Sequence, residues 1–132
     1  MDWDAWARKV EAAVDMAAQG DWKGLFAAGA TFADPANAPT EDLRDIVRQT
    51  RVFPDWTQEI TSIRGGDDWA VFEWIGRATY EGEPGRGARI EMHGATIVEV
   101  DADGLVTSWR DYLDRKEPEN QIRKAVREQQ AK

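Results

Sequence analysis

The segment Trp109–Asp114 (WRDYLD) contains the residue best suited to chemistry, Asp111. It follows a turn sequence at residues 101–104 and lies on a strand predicted over residues 105–113, the second arm of a β-hairpin. Side chains alternate faces along a strand, and those that share a face with Asp111 are mainly apolar: Leu105, Thr107, Trp109 and Leu113. A carboxylate on a buried face costs free energy unless it is paired or takes part in chemistry. Asp111 is therefore predicted to be a general base or water activator, or else a structural group paired with an arginine or a backbone amide.

Helices come first among the elements that must position this strand. Asp2 is a suitable N-cap for a helix with an apolar stripe that ends near Gly20. A second, short helix is predicted from Asp21 until Gly29 breaks it. Residues 31–34 predict a short strand, and residues 37–39 a loop. A third helix is predicted from Thr40 to just before Phe53-Pro54.

Four longer strands follow, predicted over residues 56–63, 69–80, 89–100 and 105–113. Turn-forming residues at each junction favour an antiparallel meander. Helices followed by such strands indicate an α+β fold with the helices on one face of the sheet. A strongly curved, mainly antiparallel sheet wrapped over helices leaves a cone-shaped apolar pocket of the kind that binds small ligands. The segment beyond Pro118 predicts either a short lid helix or a frayed end.

Composition and charge exclude several kinds of site and partner. The chain has 132 residues, which predicts one domain over residues 1–132. There are no cysteines and His93 is the only histidine, which excludes thiolate and multi-histidine metal sites; neither a metal nor a cofactor is expected. A net charge of −8 without a basic stripe argues against nucleic acid and anionic membrane as partners. The acidic start Met1–Asp4, with no apolar leader and no membrane-length apolar run, predicts a cytoplasmic protein.

The order of elements, the strand end Phe32–Pro35 and the closing strand Gly104–Asp114 resemble the nuclear-transport-factor-2-like superfamily. The closing strand is most similar to limonene-1,2-epoxide hydrolase, and more loosely to the SnoaL-like polyketide cyclases and ketosteroid isomerase. The resemblance implies a cone-shaped α+β fold and a pocket enzyme, on a scaffold that carries many unrelated functions.

Similarity to the epoxide hydrolases assigns roles to two residues. Their aspartate in the tryptophan-arginine-aspartate run helps to activate the attacking water, and the tryptophan lines the pocket; Asp111 and Trp109 match these positions. The proton-donating aspartate and the bridging arginine of that family are replaced here by Gly76 and Trp74. The residues that hold the water in that family are replaced by Phe32 and Asp34.

Similarity to ketosteroid isomerase points to Asp34. The general base of that enzyme stands directly before a proline at the end of the first strand, as Asp34 does before Pro35. The alternative is a plain turn residue, because Asp-Pro pairs favour turns. The oxyanion-binding tyrosine and aspartic acid of the isomerase correspond to Ala13 and Thr96, so that device is absent.

If both similarities hold, Asp34 and Asp111 face one cavity. Two carboxylates in an apolar pocket cannot both ionise cheaply, so the pair would act as an acid and a base. His93 is a candidate third member, since histidine exchanges protons near neutral pH. The strand alternation places His93 outside with Glu91 unless a bulge at Gly94 reverses it, which leaves a surface role as the alternative.

The predicted function is cofactor-independent acid–base catalysis on a small hydrophobic molecule of terpenoid, steroid or polyketide type. Epoxide opening or hydration, cyclisation and isomerisation are all compatible with these groups. The expected pocket wall consists of Trp109, Trp74, Phe32 and Trp56. The alternatives are a non-catalytic binding domain and a structural domain with a tryptophan-filled cavity. One face of the strand predicted over residues 69–80 covers the cavity, and the other is expected to form a homodimer. Alternation alone does not decide which face carries Glu73, and the alternative for Glu73 is a solvated strand residue.

Overall fold

The fold is given by a computed structural model that describes residues 1–35, 37–42 and 51–131. Its elements are α1 (Trp3–Ala13), a 3₁₀ turn (Trp22–Leu25), β1 (Phe26–Asp34), β2 (Asn37–Thr40), β3 (Thr57–Gly65), β4 (Trp69–Thr79), β5 (Arg89–Val100), β6 (Val106–Leu113) and α2 (Lys116–Gln130). The strands form one six-stranded sheet in the order β2-β1-β6-β5-β4-β3. Among the described strands, β1 and β6 run parallel to each other and the other neighbouring pairs are antiparallel. The predicted α+β fold with a mainly antiparallel sheet is confirmed.

Helix α1 begins as predicted but ends earlier. The Asp2 carboxylate accepts a hydrogen bond from the amide of Ala5 at 3.0 Å, which satisfies a free donor of the first turn. The helix ends at Ala13, not near Gly20. Beyond it the amide of Met16 donates to the carbonyl of Trp56 at 2.9 Å, so a long-range contact replaces the last predicted turn.

The segment after α1 contains more strand than predicted. The predicted second helix is reduced to the 3₁₀ turn, and β1 starts at Phe26. Gly29 does not end a helix. It adopts a positive φ of 76° inside β1, where the register against β6 shifts between Phe26 and Thr31. Residues 37–39, predicted as a loop, belong to β2 at the sheet edge, where a proline is tolerated.

The third predicted helix lies largely outside the described residues. Its predicted apolar positions, Leu43, Ile46 and Val47, fall in the undescribed range 43–50. Its predicted start is described and is not helical, because Thr40 is the last residue of β2 and residues 41–42 lie in no helix. Its end, Arg51 and Val52, is helical.

The closing strand contains a bulge that changes the predicted face. The pairing of β5 with β6 shifts between Glu99, opposite Ser108, and Val100, opposite Val106. Thr107 is the extra residue, and its hydroxyl donates to the carbonyl of Glu99. Val106 is therefore the fully buried residue, and the predicted inward placement of Thr107 is wrong, because Thr107 is exposed. After the bulge the alternation resumes, with Trp109 buried.

Helix α1 closes one end of the sheet. The indole nitrogens of Trp3 and Trp6 donate to the carbonyls of Gly66 and Gly104, which lie in the two turns at that end. The Trp6 ring contacts Phe72 edge to face, with ring centroids 5.9 Å apart. The hydrophobic core therefore fills this end of the sheet, and the opposite end is left for a cavity.

Helix α2 covers that opposite end. Strand β5 extends beyond the end of β6, which stops at Leu113 opposite Gly94. There the side-chain amide of Gln121 accepts from the amide of Glu91 at 2.7 Å and donates to its carbonyl at 2.6 Å. The C-terminal segment is thus a docked helix, not a frayed end. Within the described ranges, no helix has the length and apolarity needed to cross a membrane.

Candidate active site

A cavity of about 330 Å³ lies on the inner face of the sheet. This volume is at the lower end of the range of small-molecule sites. Most of the wall is apolar, and seven of the side chains that line it are aromatic: Trp22, Phe26, Phe32, Phe53, Trp56, Trp74 and Trp109. All four residues that the sequence predicted for the wall therefore line this cavity, and none of the tryptophans plugs it.

Neighbouring strands bring the two predicted aspartates to the same cavity. Phe32 on β1 pairs with Trp109 on the parallel strand β6, and Ala33 pairs with Arg110. Asp34 and Asp111 each come two residues after the first of these pairs, so they occupy equivalent positions on adjacent strands and face the same side. The arrangement that the sequence predicted only through two separate similarities is thus a consequence of parallel pairing.

Two buried donors hold one oxygen of Asp111. The Thr96 hydroxyl donates to Oδ1 at 2.6 Å and the Trp109 indole nitrogen donates to the same oxygen at 2.8 Å. Oδ2 receives no hydrogen bond from residues 1–35, 37–42 or 51–131. One oxygen is therefore committed to the protein, while the other remains available at the cavity.

Burial raises the pKa of Asp111 to about 6, because the charged carboxylate is removed from bulk water. The hydrogen bonds from Thr96 and Trp109 favour the charged form and oppose this rise, whereas the nearby charge of Asp34 adds to it. The side chain borders the cavity and is partly accessible, yet it lies deep enough for burial to dominate its pKa. A carboxyl group with such a pKa is mostly ionised at pH 7 and is well matched to accept a proton.

His93 lies outside the cavity. The β4–β5 pairing runs without a shift through Gly94, so the bulge that would turn His93 inward is absent. Its side chain is 60% exposed, and Nδ1 lies 2.7 Å from a carboxylate oxygen of Glu117 on α2. Its candidate place in the catalytic set is therefore corrected to a surface pairing. Glu73 also lies on the outer face, where it accepts from the Ser62 hydroxyl.

Three features of the cavity were not predicted from the sequence. Thr96 was considered only as a missing aspartic acid, although it contacts Asp111 directly. Gln58 lines the wall, and its amide oxygen accepts from the Trp56 indole nitrogen at 3.3 Å. Arg115 and Glu119, at the start of α2, also line the cavity. Strand alternation could have placed Thr96 and Gln58 inward, but their contacts depend on cross-strand register.

The cavity wall, as far as the chain is described, holds no set of side chains suited to bind a metal ion. Among the described residues, no three Asp, Glu or His side chains form a group that could hold a metal ion. The outer face of the sheet carries three exposed large apolar side chains among the described residues, Trp69, Val71 and Tyr112. The expectation that the outer face forms a homodimer stays a prediction.

The SnoaL-like domain family matches this chain over residues 4–109, from α1 through β5 to the first half of β6, as far as Trp109. The chain belongs to this family. The resemblance to the nuclear-transport-factor-2-like superfamily and its SnoaL-like branch is thereby confirmed. The narrower likeness to limonene-1,2-epoxide hydrolase stays a prediction. No curated protein matches the chain.

Solved structures share the fold of this SnoaL-like chain at low sequence identity. The "putative hydroxylase" AclR from Streptomyces galilaeus is 18% identical with a TM-score of 0.76, and the match covers 92% of this chain and 95% of AclR. IdmH, a "putative polyketide cyclase" from Streptomyces antibioticus, is 19% identical with a TM-score of 0.73, covering 92% and 99%. A "putative polyketide cyclase" from Acidithiobacillus ferrooxidans is 22% identical with a TM-score of 0.68, covering 93% and 92%.

Proposed function

We propose that this SnoaL-like protein is a cofactor-independent acid–base enzyme that cyclises or isomerises a small, hydrophobic, polyketide-like carbonyl compound. The observation that carries the proposal is Asp111, a carboxyl with a raised pKa and one uncommitted oxygen in an aromatic cavity. The family match and the polyketide cyclases among the structural neighbours support the class of substrate. The proposed mechanism uses side chains of this protein as its acid, base and hydrogen-bond donors.

The chemical step begins with a proton transfer to Oδ2 of Asp111. The carboxylate removes a proton from the carbon next to a carbonyl, and the electron pair of the C–H bond moves onto the carbonyl oxygen to form an enolate. In a cyclisation, the enolate carbon attacks a second carbonyl carbon, and the resulting alkoxide takes up the proton. In an isomerisation, Asp111 returns the proton to a different carbon. Either route regenerates the carboxylate and requires no redox partner.

Donors on the cavity wall suit the enolate oxygen. The Trp56 indole can only donate, so the oxygen of the Gln58 amide faces it and the amide nitrogen is left to donate elsewhere. The Arg115 guanidinium lines the same cavity. A hydrogen bond from either group would stabilise the negative charge that develops on the carbonyl oxygen.

The test follows exchange of acidic carbon-bound protons for deuterium by NMR, with aryl β-diketones as polyketide mimics. The wild-type protein is expected to accelerate exchange, and Asp111→Asn to reduce the rate by at least about 100-fold, the usual contribution of a general base. Ligand affinity is expected to change little, because Asn retains the shape of the side chain. Glu99→Gln is the matched control. It removes one exposed charge from the outer face of β5 and is expected to keep full activity.

Two results would overturn the proposal. If Asp111→Asn exchanges protons as fast as the wild-type protein, the base is another group. If the mimics bind to the wild-type protein but neither protein accelerates exchange or turnover, a non-catalytic binding domain is the better description, because binding needs the cavity and no base.

A further inference from the structure

Three side chains on neighbouring strands form a buried chain of hydrogen bonds. The Trp74 indole nitrogen on β4 donates to the Thr96 hydroxyl on β5 at 2.8 Å, and that hydroxyl donates to Oδ1 of Asp111 on β6 at 2.6 Å. Thr96 is fully buried and Trp74 is 4% exposed. Bulk water therefore cannot substitute for either partner.

The direction of these bonds follows from the chemistry of the groups. An indole N–H donates and cannot accept, so the hydroxyl oxygen of Thr96 has to accept from Trp74. A hydroxyl has a single proton, and the short contact directs it at Oδ1 of Asp111. The indole of Trp109, also donor-only, points at the same oxygen.

We propose that Trp74 and Thr96 are positioning residues that make Oδ2 of Asp111 the only oxygen that takes and returns the proton. This rests on the proposed role of Asp111 as the base. A proton on Oδ1 would compete with two donors already aimed there, whereas a proton on Oδ2 competes with no donor from the part of the chain that the structure describes. The same two donors oppose rotation of the carboxyl by half a turn. The proton is therefore removed and returned from one fixed point of the cavity wall.

The sheet itself holds the chain of hydrogen bonds in place. Thr96 and Asp111 are directly paired across β5 and β6. The Trp74 ring packs closely against its cross-strand partner Gly94, where an added Cβ would lie 2.3 Å from the ring. Each member is thus fixed by backbone pairing or by close packing, which is what a positioning role needs.

The experiment is a titration of the Asp111 carboxyl by NMR, in protein labelled with ¹³C at the aspartate carboxyl carbons and without substrate. Wild-type Asp111 is expected to titrate near pH 6. Thr96→Val removes a donor that favours the charged form, so its midpoint is expected to rise by about one pH unit. Thr96→Ser retains the hydroxyl and is expected to restore the wild-type midpoint. Thr61→Val, on the exposed side of β3, is the control and is expected to leave the midpoint unchanged.

A double variant keeps the test valid if Thr96→Val alone does not fold. Thr96→Val leaves the buried Trp74 N–H without an acceptor, which costs stability. The double variant Trp74→Phe, Thr96→Val removes both polar partners and is expected to fold with the same raised midpoint. In exchange assays both variants are expected to lower kcat with little change in KM, and Thr96→Ser to recover kcat.

If both variants titrate as the wild type does, the inference is overturned. If the midpoint shifts as expected but no carbon acid is ever exchanged, the positioning of the carboxyl stands and the proposed function fails. The titration and the exchange assay therefore separate the two proposals.

Discussion

The pKa of Asp111 is set by interactions that oppose one another. Burial and the charge of Asp34 disfavour its ionised form, whereas the hydrogen bonds from Thr96 and Trp109 favour it. The net rise of the pKa from 3.8 to about 6 corresponds to roughly 3 kcal/mol against the charged form. The two donors limit this cost enough that the carboxyl still ionises below neutral pH. A base has to be both deprotonated at working pH and basic enough to take a proton, and this balance provides both properties.

The pH profile of the proposed reaction tests this balance at residue scale. Activity requires ionised Asp111, so kcat/KM is expected to rise with pH with a midpoint near pH 6 and to level off about one pH unit higher. Asp34→Asn removes a charge that raises the pKa of Asp111 and is expected to move this midpoint to lower pH. Glu99→Gln removes an equal charge from the outer face and is the control for net charge. An unchanged midpoint in Asp34→Asn would mean that the two carboxyl groups do not sense each other.

How far the sequence predicts this site depends on how local each signal is. The shared inward face of Trp109 and Asp111 follows from alternation within a single strand, and both side chains line the cavity. The bond from Thr96 to Asp111 depends on the register between β5 and β6, which no single strand encodes. Even the alternation fails at Thr107, because a bulge is visible only when both strands are paired.

At the scale of elements, both helices form hydrogen bonds with strand backbone that no neighbouring described strand pairs. β3 is the outermost strand on its side, and the backbone of Ile60 has no strand partner there. Glu11 of α1 accepts from the amide of Ile60 at 2.7 Å, and Arg8 donates to its carbonyl at 3.3 Å. Gln121 of α2 does the same for Glu91 on β5. Side chains thus satisfy exposed strand backbone, which otherwise invites pairing with another chain.

The elements that could be predicted from the sequence are those whose signal is local. The strands β3 to β6 carry a clear period of two and were predicted within two residues of their ends. The C-terminal end of α1 and the strand β2 depend on contacts with other segments. The hydrogen bond from the Met16 amide to the Trp56 carbonyl is one of these contacts. Their local sequences are equally compatible with helix or loop, so the sequence alone favoured the wrong state.

The wall formed by β3 and β4 allows a packing test at this scale. A Cβ added to Gly76 would come within 2.1 Å of the Trp56 ring, so Gly76→Ala is expected to push the ring towards the cavity and to destabilise the protein by about 1–3 kcal/mol. In the background Trp56→Leu the same substitution is expected to cost less, because the ring is gone. Urea unfolding of the four proteins measures this coupling. Equal costs in both backgrounds would show that the ring does not depend on Gly76.

The hydrophobic core around α1 and the cavity under α2 lie at opposite ends of the molecule. At one end, the tryptophans of α1 are hydrogen-bonded to two turns and packed in the core. At the other end, α2 covers a cavity that holds both pocket carboxyl groups. Removing a buried carboxylate from the second end is therefore expected to stabilise the fold while it removes the proposed activity, as is common for active-site groups.

Protein stability as a function of pH tests that separation. Folded Asp111 keeps its proton up to about pH 6, whereas the unfolded chain releases it near 3.8, so the folded state binds more protons between these values. The contribution of Asp111 to the free energy of unfolding is therefore favourable at low pH and falls as pH rises through this window. Asp111→Asn does not titrate, so its stability relative to the wild type is expected to rise by up to roughly 3 kcal/mol between about pH 4 and pH 7. Urea unfolding across this range measures the difference, and exposed Glu99→Gln is expected to show no such trend. Parallel pH curves for the wild type and Asp111→Asn would mean that burial does not raise the pKa of this carboxyl, and Asp111 would then lose its main qualification as the base.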